Sequence, residues 1–140
     1  QDFEFVNVNE YIQTLVAHLV LVFQKQEGSP VKIHYDMDVN LRLSLETITS
    51  FGLILNEIIS NAFKYAFSDT QAGILTIQVQ LQDGQIRIVI SDNGPGKEAD
   101  LIHSSQLGLK LILLMCTQMN ATHTLRIEGG VIHQILFNYK

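Results

Sequence analysis

Residues 74–91 alternate with a period of two. Ile74, Thr76, Gln78 and Gln80 interleave with Leu75, Ile77, Val79 and Leu81. After Asp83-Gly84 the pattern resumes as Ile86, Ile88 and Ile90 against Arg87, Val89 and Ser91. Each set falls on one face of a strand, and Asp-Gly between two such runs is a two-residue hairpin signal. The pattern predicts an antiparallel pair whose second strand ends at Asp92. A shorter alternation over 31–35 predicts another strand, with His34 opposite Ile33 and Tyr35. Phe3, Phe5 and Val6 predict a short edge strand, and residues 122–128 and 131–139 a closing hairpin around Gly129-Gly130.

Elsewhere the apolar spacing lengthens to that of a helix. Tyr11, Leu15, Leu19 and Val22/Phe23 form an inward stripe over about 10–26, with Asn9 as N-cap, His18 outward and Gly28-Ser29-Pro30 as the stop. Residues 37–43 read as a loop or extended connection, and Ser44 as the cap of a turn carrying Glu46. A second helix is expected over 49–67 and a third over 106–120. Residues 93–106 lack apolar periodicity, contain Gly94, Pro95 and Gly96, and read as a flexible loop. Helices and strands in this order predict an α+β chain, a two-layer sandwich with helices on one face of a mixed, mostly antiparallel sheet.

The second helix carries an anomaly. Leu55, Ile58, Ile59, Ala62, Phe63 and Ala66 cover most of its circumference, yet Glu57, Asn61, Lys64 and Tyr65 fall on one stripe. A carboxylate, a carboxamide and an ammonium set into an apolar helix need partners. Glu57 and Lys64 pair or solvate at a sheet margin, or the stripe faces a ligand; Tyr65 packs in the core or against that ligand. If Asp92 borders the same pocket, its carboxylate can accept a hydrogen bond from an exocyclic amine, which adenine has and guanine lacks at the matching position. Otherwise Asp92 caps the loop that follows it.

Composition narrows the class. The chain has 140 residues, 46% hydrophobic and 16% charged. That is one globular domain, 1–140, large enough to bury a core without disulfides or metal. Cys116 is the single cysteine and sits among Leu113, Leu114 and Met115, which reads as a small core residue in a chain suited to a reducing compartment. A net charge of −5 with no basic block argues against a nucleic-acid surface. No stretch approaches the roughly 18 apolar residues of a membrane span, so no direct membrane contact is expected. His103, His123 and His133 are scattered without zinc-ligand spacing. The start at Gln1 rather than Met points to a piece excised from a longer protein.

Three clusters occur in order: Glu57-x3-Asn61-x2-Lys64-Tyr65, then Asp92-x-Gly94-x-Gly96, then Leu107-Gly108-Leu109 at a helix start. They resemble the N, G1 and G2 boxes of the histidine-kinase ATPase (GHKL) superfamily. "GLILNEIISNAFKYAF" (52–67) and "SSQLGLKLI" (104–112) are most similar to the ATP-binding domain of sensor histidine kinases whose N box begins with Glu. The resemblance implies the Bergerat fold, ATP and Mg2+ as ligands, and a cytoplasmic location. It implies Asp92 as adenine anchor, Asn61 as Mg2+ ligand and Lys64 as phosphate cation, with Glu57 beside the terminal phosphate. Gly94 and Gly96 serve the loop, Tyr65 the base or ribose, and Leu107, Gly108 and Leu109 the phosphate-binding helix start. Its implied partners are a histidine-bearing dimerisation domain and a response regulator. Two departures stand out: Gln106-Leu107-Gly108 replaces a Gly-x-Gly run, and Gly129-Gly130-Val131 stands where a Gly-Thr pair is usual. The competing functions are a degenerate nucleotide-binding or interaction module and a serine kinase of the anti-sigma type.

Overall fold

The computed structural model describes residues 4–24, 30–37, 41–67, 73–94 and 106–139. In chain order the elements are β1 (Phe5–Asn7), α1 (Val8–Phe23), β2 (Lys32–Met37), β3 (Arg42–Ser44), α2 (Leu45–Asn61), a π-helical turn (Ala62–Ala66), β4 (Ile74–Gln82), β5 (Gln85–Asp92), α3 (Gln106–Gln118), β6 (Thr122–Ile127) and β7 (Val131–Asn138).

Five strands make the main sheet in the order β2-β4-β5-β7-β6. The β2–β4 pair is parallel and the other pairs are antiparallel, so the sheet is mixed as expected. Asp83 and Gly84 both take positive φ, 54° and 77°, the geometry of the tight turn that joins β4 to β5. The period-two pattern sorts as predicted: Leu75, Ile77, Val79, Ile86, Ile88 and Ile90 are buried against the helices. Leu81, at the open end of β4, is exposed instead.

The helices cover one face. α2 is the central one, with Ile48, Phe51, Ile54, Leu55 and Ile59 fully buried, each contributing about 1.5–3 kcal/mol of transfer free energy. α1 and α3 flank it. Cys116 is buried on α3, and that burial pushes its thiol pKa up, as a core position should.

Local chemistry moved several boundaries. Asn7 rather than Asn9 caps α1, its Oδ1 accepting from the Glu10 amide at 3.0 Å. The helix begins directly after β1 because Val8 donates to the Leu41 carbonyl, closing a small sheet in which β1 pairs with β3. The 37–43 connection therefore contains the start of a strand. The most buried stripe of α1 is Val8, Ile12, Val16 and Leu19, with the expected Tyr11, Leu15 and Phe23 partly buried against the core beside it, while Val22 is exposed and His18 faces outward as expected. Ser44 caps α2 itself, accepting from the Thr47 amide at 3.2 Å, so that helix starts at Leu45 rather than near 49. α3 ends at Gln118 because Asn120 adopts φ 55° and Ala121 donates back to the Cys116 carbonyl at 2.8 Å, a left-handed C-terminal stop.

Candidate functional site

The C-terminal end of α2, the end of β5 and the start of α3 meet around two clefts that share Asn61 and Tyr65 as a common wall. The first is a narrow cleft with about 540 Å³ of space between atoms, open solvent at its mouth included. Its floor is the sheet, through Leu75, Ile90, Asp92, Val131 and His133, and its walls include Ile58, Ala66, Leu109 and Ile112. The second, about 930 Å³, is lined by Glu57, Lys64, Leu107, Gly108 and Lys110.

Asp92 is the best-defined group. Its Oδ1 accepts from the amides of Gly94 at 3.0 Å and Val131 at 3.2 Å. The expectation of a loop cap and that of a ligand anchor are thus compatible, because they use different oxygens: among the described residues Oδ2 has no partner. Burial raises the Asp92 pKa, and the two amide bonds oppose that shift by favouring the carboxylate. A partly desolvated carboxylate with one idle oxygen is suited to a ligand donor.

The glycines around it are required by close approach. A Cβ on Gly94 would overlap the backbone carbonyl of Ala66, so the loop leaves β5 in contact with the end of the π turn. Gly130 has φ 140°, and a Cβ there would overlap the Asp92 carbonyl. Gly129-Gly130-Val131 therefore serves Asp92 through a glycine and an amide, and in that respect the side chain at 131 is immaterial. Gly96, expected to act as a hinge, lies outside the described residues, as do Pro95 and His103.

The polar stripe is assembled as the spacing predicted, with one addition. α2 does not run straight to Phe67: from Ala62 it widens into a π turn, closed by the Phe67 amide donating to the Ala62 carbonyl at 3.0 Å. Such turns are uncommon and re-aim side chains over a short span. Here Ala62, Phe63 and Ala66 are buried while Lys64 and Tyr65 face out beside Asn61. Tyr65, 36% exposed, is a wall of both clefts rather than a core residue. Glu57 and Lys64 form no ion pair among the described residues, which removes mutual pairing as their role. The Glu57 carboxylate lies against Gly108, where a Cβ would overlap it. It thus stands at the first turn of α3, whose free amides and dipole favour negative charge.

Sequence reasoning missed three contributors. Lys110 lines the second cleft and, with Leu107, Leu111 and Leu114, occupies one helical stripe that spacing alone would reveal. The Val131 amide is invisible in sequence. His133 lines the first cleft, and the expectation that the histidines are scattered fails for two of them. His123 Nε2 lies 2.9 Å from His133 Nδ1 across the β6–β7 hairpin. Among the described residues no group of His, Cys, Asp and Glu can hold a metal by itself. Magnesium, however, takes few protein ligands when phosphate oxygens and water complete its shell. The Asn61 carboxamide, without a protein partner among the described residues and bordering both clefts, fits that donor set.

Comparison with known proteins bears on the family and the fold. Residues 34–125 match the family described as the histidine kinase-like ATPase domain. The chain is 27% identical over 85 residues to blue-light-activated histidine kinase 2 of Erythrobacter litoralis (strain HTCC2594), covering 59% of this chain and 24% of that protein. It is 29% identical over 55 residues to anti-sigma F factor of Clostridium botulinum (strain Alaska E43 / Type E3), covering 39% of this chain and 38% of that protein. It thus spans about a quarter and under two fifths of the lengths of these relatives. In three dimensions it resembles the histidine kinase domain of the Erythrobacter litoralis EL346 blue-light activated histidine kinase, with TM-score 0.80 and 20% identity over 96% of this chain and 62% of that one. With helices on one face of a mixed sheet, residues of all three sequence clusters lining two adjoining clefts and a family match over most of its length, this chain belongs to the histidine kinase-like ATPase domain family.

Proposed function

We propose that this chain binds Mg-ATP across the two clefts and presents the γ-phosphate to a histidine on a separate dimerisation domain, as the catalytic domain of a sensor histidine kinase. One observation carries this reading. A half-buried carboxylate, Asp92, uses one oxygen to hold its own loop and, among the described residues, leaves the other open to a ligand inside a mainly apolar cleft.

The base enters the first cleft between Ile58 and Leu109, and Asp92 Oδ2 accepts from its exocyclic amine. Asn61, at the shared wall, would supply the carboxamide oxygen for Mg2+, which when bound would neutralise phosphate charge. Lys64 and Lys110 flank the triphosphate as point charges, and the first turn of α3 from Leu107 through Leu109 offers free amides. Glu57 sits at the phosphate end, where it orients the incoming imidazole. Imidazole is already nucleophilic, so the carboxylate polarises rather than deprotonates it. Phosphoryl transfer depends on positioning, so the chain alone should hydrolyse ATP slowly at most. The phosphohistidine then passes its phosphate to a response regulator.

Titration calorimetry of ATP into the chain, with and without Mg2+ and beside Asp92→Asn, tests the reading. Binding that weakens by about 1–3 kcal/mol in the variant supports it; no binding by the wild type at millimolar nucleotide removes it.

The match to an anti-sigma F factor favours a second reading, a serine kinase acting on a partner protein. Acid-stable phosphoserine rather than acid-labile phosphohistidine on the acceptor would decide for it.

A further inference from the structure

The floor of the first cleft holds a polar side chain in a row of apolar ones. Alternate residues of β7, Val131, His133, Ile135 and Phe137, share the helix-facing side of the sheet. His133 faces the fully buried Ile90 of β5 on one side and Leu125 of β6 on the other. Packing alone would be served there by another aliphatic side chain. Instead the His133 ring lines the cleft together with Asp92, and its Nδ1 meets His123 Nε2 at 2.9 Å, with ring centroids 5.2 Å apart.

Two imidazoles joined this way hold one proton between them, so one nitrogen donates and the other accepts. Burial lowers both pKa values, that of His133 to about 3, so both rings are neutral near pH 7. The remaining His133 nitrogen, Nε2, has no partner among the described residues. It is not sealed in either: the buried unpaired polar side-chain atom among them is Asn9 Oδ1.

We propose that His133 is a base-reading residue: its Nδ1 accepts from His123 Nε2–H, and its Nε2–H donates to the ring nitrogen next to the exocyclic amine that Asp92 accepts from. This rests on the cleft being the ATP site. Adenine presents an amine donor beside a ring-nitrogen acceptor on one edge, matching an acceptor from Asp92 and a donor from His133. Guanine presents a carbonyl acceptor beside an N–H donor, and so opposes both side chains at once. His123 is a positioning residue that fixes the tautomer of His133.

Calorimetric titration of the chain with ATP, with GTP and with 1-deaza-ATP, in which that ring nitrogen is C–H, tests the assignment. The wild type should prefer ATP to 1-deaza-ATP by about three- to tenfold, the worth of one hydrogen bond. His133→Phe should bind the two analogues equally, and His123→Leu should narrow the gap. If His133→Phe keeps the wild-type ratio, the role of His133 is overturned while the ATP reading stands. If the wild type binds no ATP, both fall together. Because a floor substitution can disturb folding, the wild type is also followed by 15N NMR of its ring nitrogens. The His133 Nε2 resonance should shift with ATP and not with 1-deaza-ATP; the same response to both overturns the proposal.

Discussion

The two clefts at the end of α2 share a wall yet follow opposite physics. The first is floored by strands and lined by buried aliphatic side chains, and the polar groups of its floor, Asp92 and His133, are each held by a bond to protein. The second lies between helices and is lined by Glu57, Lys64 and Lys110, none of them in an ion pair among the described residues. Hydrogen bonds in the desolvated cleft discriminate between ligands, because an unmatched donor or acceptor there loses its bond to water and gains nothing. Exposed charges in the open cleft attract phosphate with little regard to shape and are weakened by salt. On the proposed reading, one end of the site chooses the ligand and the other holds its charge.

The largest effect should come from breaking the backbone that holds Asp92. Gly130→Ala puts a Cβ at φ 140° and into the Asp92 carbonyl. Chemical denaturation should show a loss of about 1–3 kcal/mol from backbone strain alone, and ATP binding should vanish with it. Full binding by a stable Gly130→Ala would show that the Val131 amide is dispensable.

Acid should act through the first cleft next. The folded-state pKa of His133 is depressed from the usual imidazole range to about 3, by burial first and by His123 second. Its neutral form contributes stability that is present above about pH 6.5 and is lost as pH falls toward 3, because the unfolded chain takes up the proton first. The slope is about 1.4 kcal/mol per pH unit for one proton, and steeper where His123, also depressed, joins it. Asp92 opposes this: its raised pKa makes the fold gain stability as pH drops through the carboxylate range. Urea denaturation at pH 7, 6 and 5 should show falling stability in the wild type and a flatter profile in His133→Phe.

The smallest effects belong to the open cleft. Lys64→Ala and Lys110→Ala should each weaken ATP binding by roughly two- to fivefold, leave the preference for adenine over guanine unchanged, and matter less as salt rises. Altered base preference in either variant would erase the distinction between the clefts.

The β4–β5 alternation, the stripe from Glu57 to Tyr65 and the position of Asp92 at a strand end were all legible, since each depends on a local period or spacing. The helix starts were less so. Asn7 and Ser44 act as caps because β1 and β3 pair, a contact between residues nearly forty apart. The π turn after Asn61 and the Schellman-like stop at Asn120 are backbone events that many sequences of the same polarity would not share.

By itself, then, the sequence determined the elements, the apolar face of each, and which residue types stand at the site. It could do so because side-chain direction follows from a repeat of two or 3.6 residues. Only the tertiary structure decided which atoms remain for a ligand. That Asp92 spends Oδ1 on Gly94 and Val131 while Oδ2 stays open among the described residues is set by the packing of β5 against β7 and the loop. That His123 and His133, ten residues apart, share a proton is set by hairpin register, which places them diagonally on one face. Hydrogen-bond occupancy depends on distances between distant parts of the chain, and no spacing along the sequence contains it.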